Sequence, residues 1–345
     1  MIKFKHFLAL LLLLALLCGC TVQTVPETSA SVSAGNTLTV HYIDVGQADC
    51  ALLECSGEFM LIDGGNVEDS ALVVSYLEDA GVEELSAVVC THAHEDHVGG
   101  LPGVLAVYPT DAVYSPTSTY SSKCFDDFMY YVDQQDLEVR IPTPGDSFSF
   151  GDAAVTVLGP TESYADTNNT SIVLLVQFGE NRFLFTGDME TDAEADLLDS
   201  GADVRADVLK VGHHGSSTST GYRFLYEVDP QYGVISVGEG NSYGHPHDEV
   251  VSRLSDAGVI TYRTDELGTV TAVSDGQTIT FTWENADAAP DAAEEVDTVY
   301  IGNINSKKFH LPSCSGLPAE KNRITFDSLE EALSAGYTPC GTCMD

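Results

Sequence analysis

The chain has 345 residues and sets 53 Asp and Glu against 14 Lys and Arg, for a formal net charge of −39. That length holds two domains, or one large domain with an appendage. Such acidity argues against a general nucleic-acid binder, which displays a basic face, but not against a local site where metal ions supply the positive charge.

Lys3 and Lys5 precede an apolar run over 7–17 that ends in Leu17-Cys18-Gly19-Cys20. The run is too short to span a bilayer and suits the apolar region of an export signal. Its ending resembles a bacterial lipoprotein signal. Residues 1–20 are therefore read as a signal peptide whose Cys20 becomes lipidated, holding the exported chain on the outer side of the cell membrane. Residues 21–35, rich in Ser, Thr and Ala, read as a flexible tether.

From residue 36 the pattern is strand, turn, strand: runs at 38–45, 50–54 and 59–63, with Gly46 and Gly64-Gly65 at the turns. Leu72, Val73, Tyr76 and Leu77 then recur at helical spacing over 70–80. The β-branched run 85–90 is too short for a stable helix. It reads as a buried strand leading into Thr91-His92-Ala93-His94-Glu95-Asp96-His97-Val98-Gly99-Gly100. Side chains two apart on an extended chain point the same way, so His92 and His94 can hold one ion together, and Asp96 and His97 reach a second beside it. Imidazole nitrogen with carboxylate oxygen suits Zn²⁺ and similar metals.

Residues 108–144 read as a loop without a recognisable binding pattern. Further strands follow at 148–150, 154–158, 172–178 and 182–188, the last ending at Asp188. A short helix is expected over 192–198. A strand over 206–211 ends at Gly212-His213-His214-Gly215-Ser216, and one over 232–237 is followed by Tyr243-Gly244-His245-Pro246-His247. Closing strands lie at 259–262 and 280–283. Polar ligands thus recur at strand ends, where they converge on one cleft of a layered α/β fold. Cys50 and Cys90 read as small buried hydrophobes, and an exported setting permits a disulfide from Cys55 or Cys124.

These residues resemble the metallo-β-lactamase fold superfamily and, within it, the hydrolase domain of the ComEC/Rec2 competence family. The resemblance covers residues 36–284. It rests on Asp44-Val45-Gly46-Gln47-Ala48-Asp49, Leu61-Ile62-Asp63-Gly64-Gly65, the His92 run, Asn168-Asn169-Thr170-Ser171, Thr186-Gly187-Asp188, Lys210-Val211-Gly212-His213-His214-Gly215-Ser216, and Tyr243-Gly244-His245-Pro246. It implies a four-layered αββα sandwich. It further implies that His92 and His94 hold a first metal, Asp96, His97 and His245 a second, and that Asp188 bridges both. The third His of the first site is missing. Asn168 and Asn169 stand in that stretch, with His214 and Ser216 as other substitute ligands or substrate contacts. Amides bind zinc less well than imidazole, so the cleft is expected to hold one or two divalent metals, Zn or Mn. His213 is open to two roles, substitute ligand or proton donor.

A bound metal brings the pKa of its water to about 7, and Asp96 or Asp188 would orient the hydroxide. Lys210 suits a phosphate oxygen, which favours phosphodiester hydrolysis of a nucleic acid or nucleotide. Hydrolysis of a lactone, thioester or β-lactam is the alternative, followed by a noncatalytic binding role.

Residues 285–297 read as an acidic linker to a small domain over 298–345. There His310, Cys314, Cys340 and Cys343 have zinc-knuckle spacing for one structural Zn. This segment resembles the metal-binding domain of Ada. The first ligand, the alkyl acceptor in that family, is here His310, which argues against methyl transfer and leaves a structural or DNA-docking role. Lys307, Lys308, Lys321 and Arg323 would suit a phosphate backbone.

Overall fold

The computed structural model describes residues 36–292, 299–312, 314–341 and 343–344. The expected signal peptide with Cys20, the tether over 21–35 and the last part of the linker lie outside the described residues. No helix among those described is long and apolar enough to cross a membrane.

Two sheets pack face to face. The first runs Ile279–Trp283, Val270–Ser274, Leu38–Tyr42, Ala51–Cys55, Glu58–Ile62, Ala87–Val89, Val113–Tyr114 and Val139–Arg140. The second runs Ile260–Arg263, Tyr232–Ile235, Val208–Lys210, Asn181–Phe185, Val173–Phe178, Ala153–Gly159 and Ser147–Phe150. Leu38, Val40 and Tyr42 alternate with half-buried Thr39 and His41, and they meet Val155, Val176, Phe183 and Phe185 of the second sheet in one core. Helices Ser70–Asp79, Leu101–Val107 and Lys123–Gln134 cover the outer face of the first sheet through Val73, Leu77, Leu101, Phe125 and Phe128. Helices Thr191–Asp199, Tyr222–Val228 and Asp248–Asp256 cover the second through Leu197, Leu225 and Leu254. These are the four expected αββα layers. Strands covered on both faces read as continuous apolar runs, as Val173–Phe178 does.

The stretch 108–144 departs from the expected loop. Ser122 caps the helix Lys123–Gln134, accepting from the Phe125 amide, and Cys124, Phe125, Phe128 and Val132 line its buried face. Cys55 and Cys124 are buried free thiols in separate cores, so no disulfide joins them. The first residues of the expected linker, 285–291, contact the main body. Trp283 donates to the Ala288 carbonyl at 3.1 Å, and Asp291 pairs with Thr261 through both backbone bonds.

The parallel strands Asn181–Phe185, Val208–Lys210 and Tyr232–Ile235 are in register, with Phe185 beside Lys210 and Lys210 beside Val234. The chain leaves all three at about one level, which brings Asp188, His213-His214 and the 238–247 loop to one edge. In the first sheet Ile62 lies beside Val89, so Asp63 and Thr91 exit together there.

The C-terminal module is a four-stranded sheet, Arg323–Phe326, Tyr300–Asn303, Lys308–His310 and Thr338–Pro339, with helix Leu329–Ser334. Its core of Tyr300, Phe309, Phe326, Ala332, Tyr337 and Met344 is shared with Tyr222 of the main body.

Candidate metal centre

After the strand Ala87–Val89 the chain holds His94 extended and then makes a single turn, Glu95–Val98. That turn presents Asp96 and His97 beside His92. Its return is possible because two glycine pairs meet: a Cβ on Gly100 would lie 1.9 Å from the Gly64 carbonyl oxygen, and one on Gly64 would lie 2.8 Å from the Leu101 nitrogen.

Asp63 fixes this segment. It is buried, accepts the Thr91 amide and hydroxyl at 2.7 Å each, and faces His97 Nδ1 at 2.8 Å. With Nδ1–H donated to Asp63, His97 turns Nε2 toward the cleft. Across the cleft Asp188 is the hub. Its Oδ1 lies 3.2 Å from His97 Nε2, and its Oδ2 lies 3.6 Å from His214 Nε2, 3.7 Å from His213 Nε2 and 3.9 Å from His92 Nε2. His214 Nδ1 donates to the Ser236 carbonyl at 2.9 Å, leaving Nε2 to face Asp96 at 3.3 Å.

One ligand atom each from Asp96, His97, Asp188 and His214 lies within 4.8 Å of all the others. His97 Nε2 and Asp188 Oδ1 are both buried and face each other as an ion pair, poorly aligned for a hydrogen bond. Two imidazoles and two carboxylates converging in a buried cleft are a donor set for Zn²⁺ or Mn²⁺. The residues fit a divalent ion. His92 and His94 stand beside them, His92 Nε2 3.0 Å from His94 Nδ1.

Electrostatics follow the geometry. Burial alone would lower the pKa of His97, but Asp188, Asp63 and Asp96 raise it well above the ordinary imidazole value. Burial opposes protonation of His214 as well, yet Asp188 and Asp49 bring it to about 10. Burial, then the neighbouring His97, keeps His92 well below the usual range. Burial would raise Asp188, but His97 and His214 hold it well below the usual carboxylate range.

Several expected roles change. His245 was expected to complete the second site; the structure puts His214 in that corner. His245 lies at the rim, its Nδ1 3.4 Å from Gln47 Nε2 and its ring 5.6 Å from that of His213, outside the four-ligand cluster. Lys210 is not open to a phosphate: it is buried, paired with buried Asp49 at 2.9 Å, and donates to the Val211 carbonyl. Asn169 is scaffolding, its Oδ1 accepting the Glu190 amide at 2.9 Å. Asn168 Nδ2 approaches Glu190 at 3.4 Å, while its Oδ1 is buried without a partner. Ser216 is turned into its own loop, 3.0 Å from Thr218 Oγ1. Ser171 accepts the Asp188 amide and donates to the Asn168 carbonyl, so the block where a third His is missing braces Asp188. His213 sits at the cleft mouth, Nδ1 3.2 Å from Glu190. Asp49, Asp63 and Glu190 also support the cleft; the blocks at 44–49 and 61–65 signal the first two, and Glu190 is marked only by its place two residues after Asp188.

A cavity of about 800 Å³ opens beside Asp96, walled by Asp44, Glu68, Asp69, Glu95 and Glu239 with exposed Tyr243 at its edge. In the C-terminal module His310, Cys314, Cys340 and Cys343 bring their ligand atoms within 4.8 Å of one another. They form a closed four-ligand set of the structural kind. The basic residues nearby make internal contacts: Lys307 lies 4.4 Å over the Tyr337 ring, Lys308 donates to the Pro339 carbonyl, and Arg323 to that of Pro318.

The family model for the metallo-beta-lactamase superfamily matches residues 43–239, and that for the metal binding domain of Ada matches residues 285–345. ComE operon protein 3 of Bacillus subtilis (strain 168) is 29% identical over 250 residues, covering 67% of this chain and 32% of that protein. Competence protein ComA of Neisseria gonorrhoeae is 32% identical over 249 residues, covering 71% of this chain and 32% of that protein. The chain therefore spans about a third of the length of these relatives. Among solved structures, the metallo-beta-lactamase fold protein YhfI from Bacillus subtilis aligns with a TM-score of 0.47 at 13% identity, over 72% of this chain and 100% of that one.

Proposed function

The chain belongs to the metallo-beta-lactamase superfamily, as a ComEC/Rec2-like domain joined to an Ada-type metal-binding domain, and we propose that it is a metal-dependent phosphodiesterase acting on nucleic acid or nucleotides. The observation that carries this reading is the convergence of the ligand atoms of Asp96, His97, Asp188 and His214 at the edge of the two sheets. A divalent ion held there supplies Lewis acidity and an activated water at neutral pH. The chain's own residues orient and exclude. Asp63 keeps the His97 proton on Nδ1, Asp49 and the Ser236 carbonyl fix His214, and Ser171 sets the Asp188 turn. His213, braced by Glu190 through Nδ1, directs Nε2 into the cleft, where it can hand a proton to a leaving oxygen. The competence proteins among the relatives support the nucleic-acid substrate.

Hydrolysis at the carbonyl of a lactone, thioester or β-lactam is favoured by one observation, the carboxylate walls of the cavity beside Asp96, which repel a polyanion. Purified full chain with Zn²⁺ or Mn²⁺ separates the two readings on a panel of single-stranded DNA, duplex DNA, a simple phosphodiester, a lactone and a thioester. We expect phosphodiester turnover that falls at least ~100-fold in Asp188→Ala. Turnover confined to the carbonyl substrates selects the second reading. The hydrolase unit over 36–284, its anchoring through Cys20 and its place on the outer side of the membrane are part of the same proposal. Cys20→Ala is expected to release the chain from membranes; unchanged partitioning refutes the anchor.

A further inference from the structure

The loop that carries His213 and His214 continues through residues 215–221, and Ser219 and Thr220 in it are essentially inaccessible to solvent. A buried turn must find partners for its backbone groups, and here two buried polar side chains on separate helices provide them. Arg253, on the helix Asp248–Asp256, donates Nη1 to the carbonyls of Ser219 at 3.0 Å and Thr220 at 2.9 Å, and Nη2 to that of Ser217 at 3.2 Å. Glu194, on the helix Thr191–Asp199, accepts the amides of Thr220 and Gly221, the latter at 3.0 Å. Both side chains are buried, and neither belongs to the ligand cluster. A planar guanidinium can span three carbonyls, whereas an ammonium is a point charge that cannot reproduce the fork.

The loop needs such a hold. His213 and His214 are both in the left-handed region, at φ 48° and 52°, a strained conformation for non-glycine residues that persists only where the surroundings enforce it. The same brace extends outward. The Arg253 guanidinium lies 5.7 Å over the ring of Tyr222. Tyr222 in turn packs into the C-terminal core with Tyr300, Phe309 and Met344, and Cys343 packs against that core. A continuous line of contacts therefore runs from the four-ligand set of the C-terminal module, through Tyr222 and Arg253, to the loop that presents His214.

We propose that Arg253 and Glu194 are positioning residues for His213 and His214, and that the C-terminal metal module completes the brace by seating Tyr222 on Arg253. The module then acts on the cleft itself, which sets it apart from a free docking appendage. The inference rests on reading His214 as a ligand of the hydrolytic centre.

The test uses the full chain with Zn²⁺ loaded at the thiolate site. Mn²⁺ then probes the nitrogen–oxygen cleft, since it disfavours thiolate ligands. Amide hydrogen exchange over residues 212–221 and Mn²⁺ affinity are compared in wild type, Arg253→Lys, Glu194→Gln, Tyr222→Leu and Cys340→Ser. Faster exchange in the loop and about tenfold weaker Mn²⁺ binding are expected in each variant, with Arg253→Lys retaining its thiolate-bound Zn²⁺ and losing kcat more than it gains KM. Wild-type exchange and affinity in Cys340→Ser and Tyr222→Leu overturn the brace, and these two carry the test if Arg253→Lys does not fold. If wild type binds neither Mn²⁺ nor a second Zn²⁺ beyond the thiolate-bound ion, the metal-centre reading fails, while loop exchange still decides the brace.

Discussion

At the residue scale, the cleft is governed by which hydrogen bond each imidazole has already made. Asp63 occupies His97 Nδ1 and the Ser236 carbonyl occupies His214 Nδ1, so both rings offer Nε2 to the same point. Asp63→Ala should therefore weaken divalent metal binding by about 10–100-fold without removing a ligand; calorimetric titration checks this, and unchanged affinity would show that Asp63 serves only the Thr91 turn. Glu194 makes a second prediction. Burial raises its carboxyl to about 7 although the Gly221 and Thr220 amides and Arg253 pull the other way. The folded chain keeps this proton up to about pH 7, while the unfolded chain releases it near 4.5. Its stabilising contribution is thus complete below 4.5 and is lost as pH rises through 7, a change of roughly 3 kcal/mol. Unfolding free energies of wild type minus Glu194→Gln should fall by about that amount between pH 4.5 and 7.5. A flat difference contradicts the assignment.

At the element scale, the strands were legible because apolar alternation and continuous apolar runs report directly on one-faced and two-faced burial. Expected strands 38–45, 154–158, 172–178 and 182–188 overlap the observed Leu38–Tyr42, Ala153–Gly159, Val173–Phe178 and Asn181–Phe185. The helix Lys123–Gln134 escaped a reading that looked for binding patterns, although Phe125, Phe128 and Val132 hold helical spacing. The candidate cluster was legible only in part. Asp96, His97 and Asp188, expected from strand ends, do converge, but which of His213, His214 and His245 joins them depends on two consecutive left-handed residues that spacing does not reveal. Lys210 misled for a related reason: sequence shows a cation at a strand end but not Asp49 buried against it. The paired glycines join the two sheet exits. Gly100→Ala should cost at least about 1–3 kcal/mol, because its Cβ meets a backbone carbonyl that cannot rotate away. Chemical denaturation measures this, and a neutral substitution would mean that the His92 turn adjusts freely.

At the scale of the whole molecule, two donor sets of different chemistry share one chain: nitrogen and oxygen in the cleft, thiolates and His310 in the C-terminal module. With a net charge of −39, an ion held in the cleft would be the principal attraction for a phosphate substrate. Affinity for DNA should accordingly depend on that metal more than on the few basic side chains of the C-terminal module, since Lys307, Lys308 and Arg323 make internal contacts. Metal-dependent hydrolysis requires that Asp96, His97, Asp188 and His214 hold the ion. Metal content per chain and turnover, measured together in wild type, His214→Ala and His245→Ala, test it most directly. The account predicts that His214→Ala loses the cleft ion and turnover while retaining the thiolate-bound ion, and that His245→Ala retains both ions. Loss of the cleft ion in His245→Ala with full occupancy in His214→Ala would contradict it.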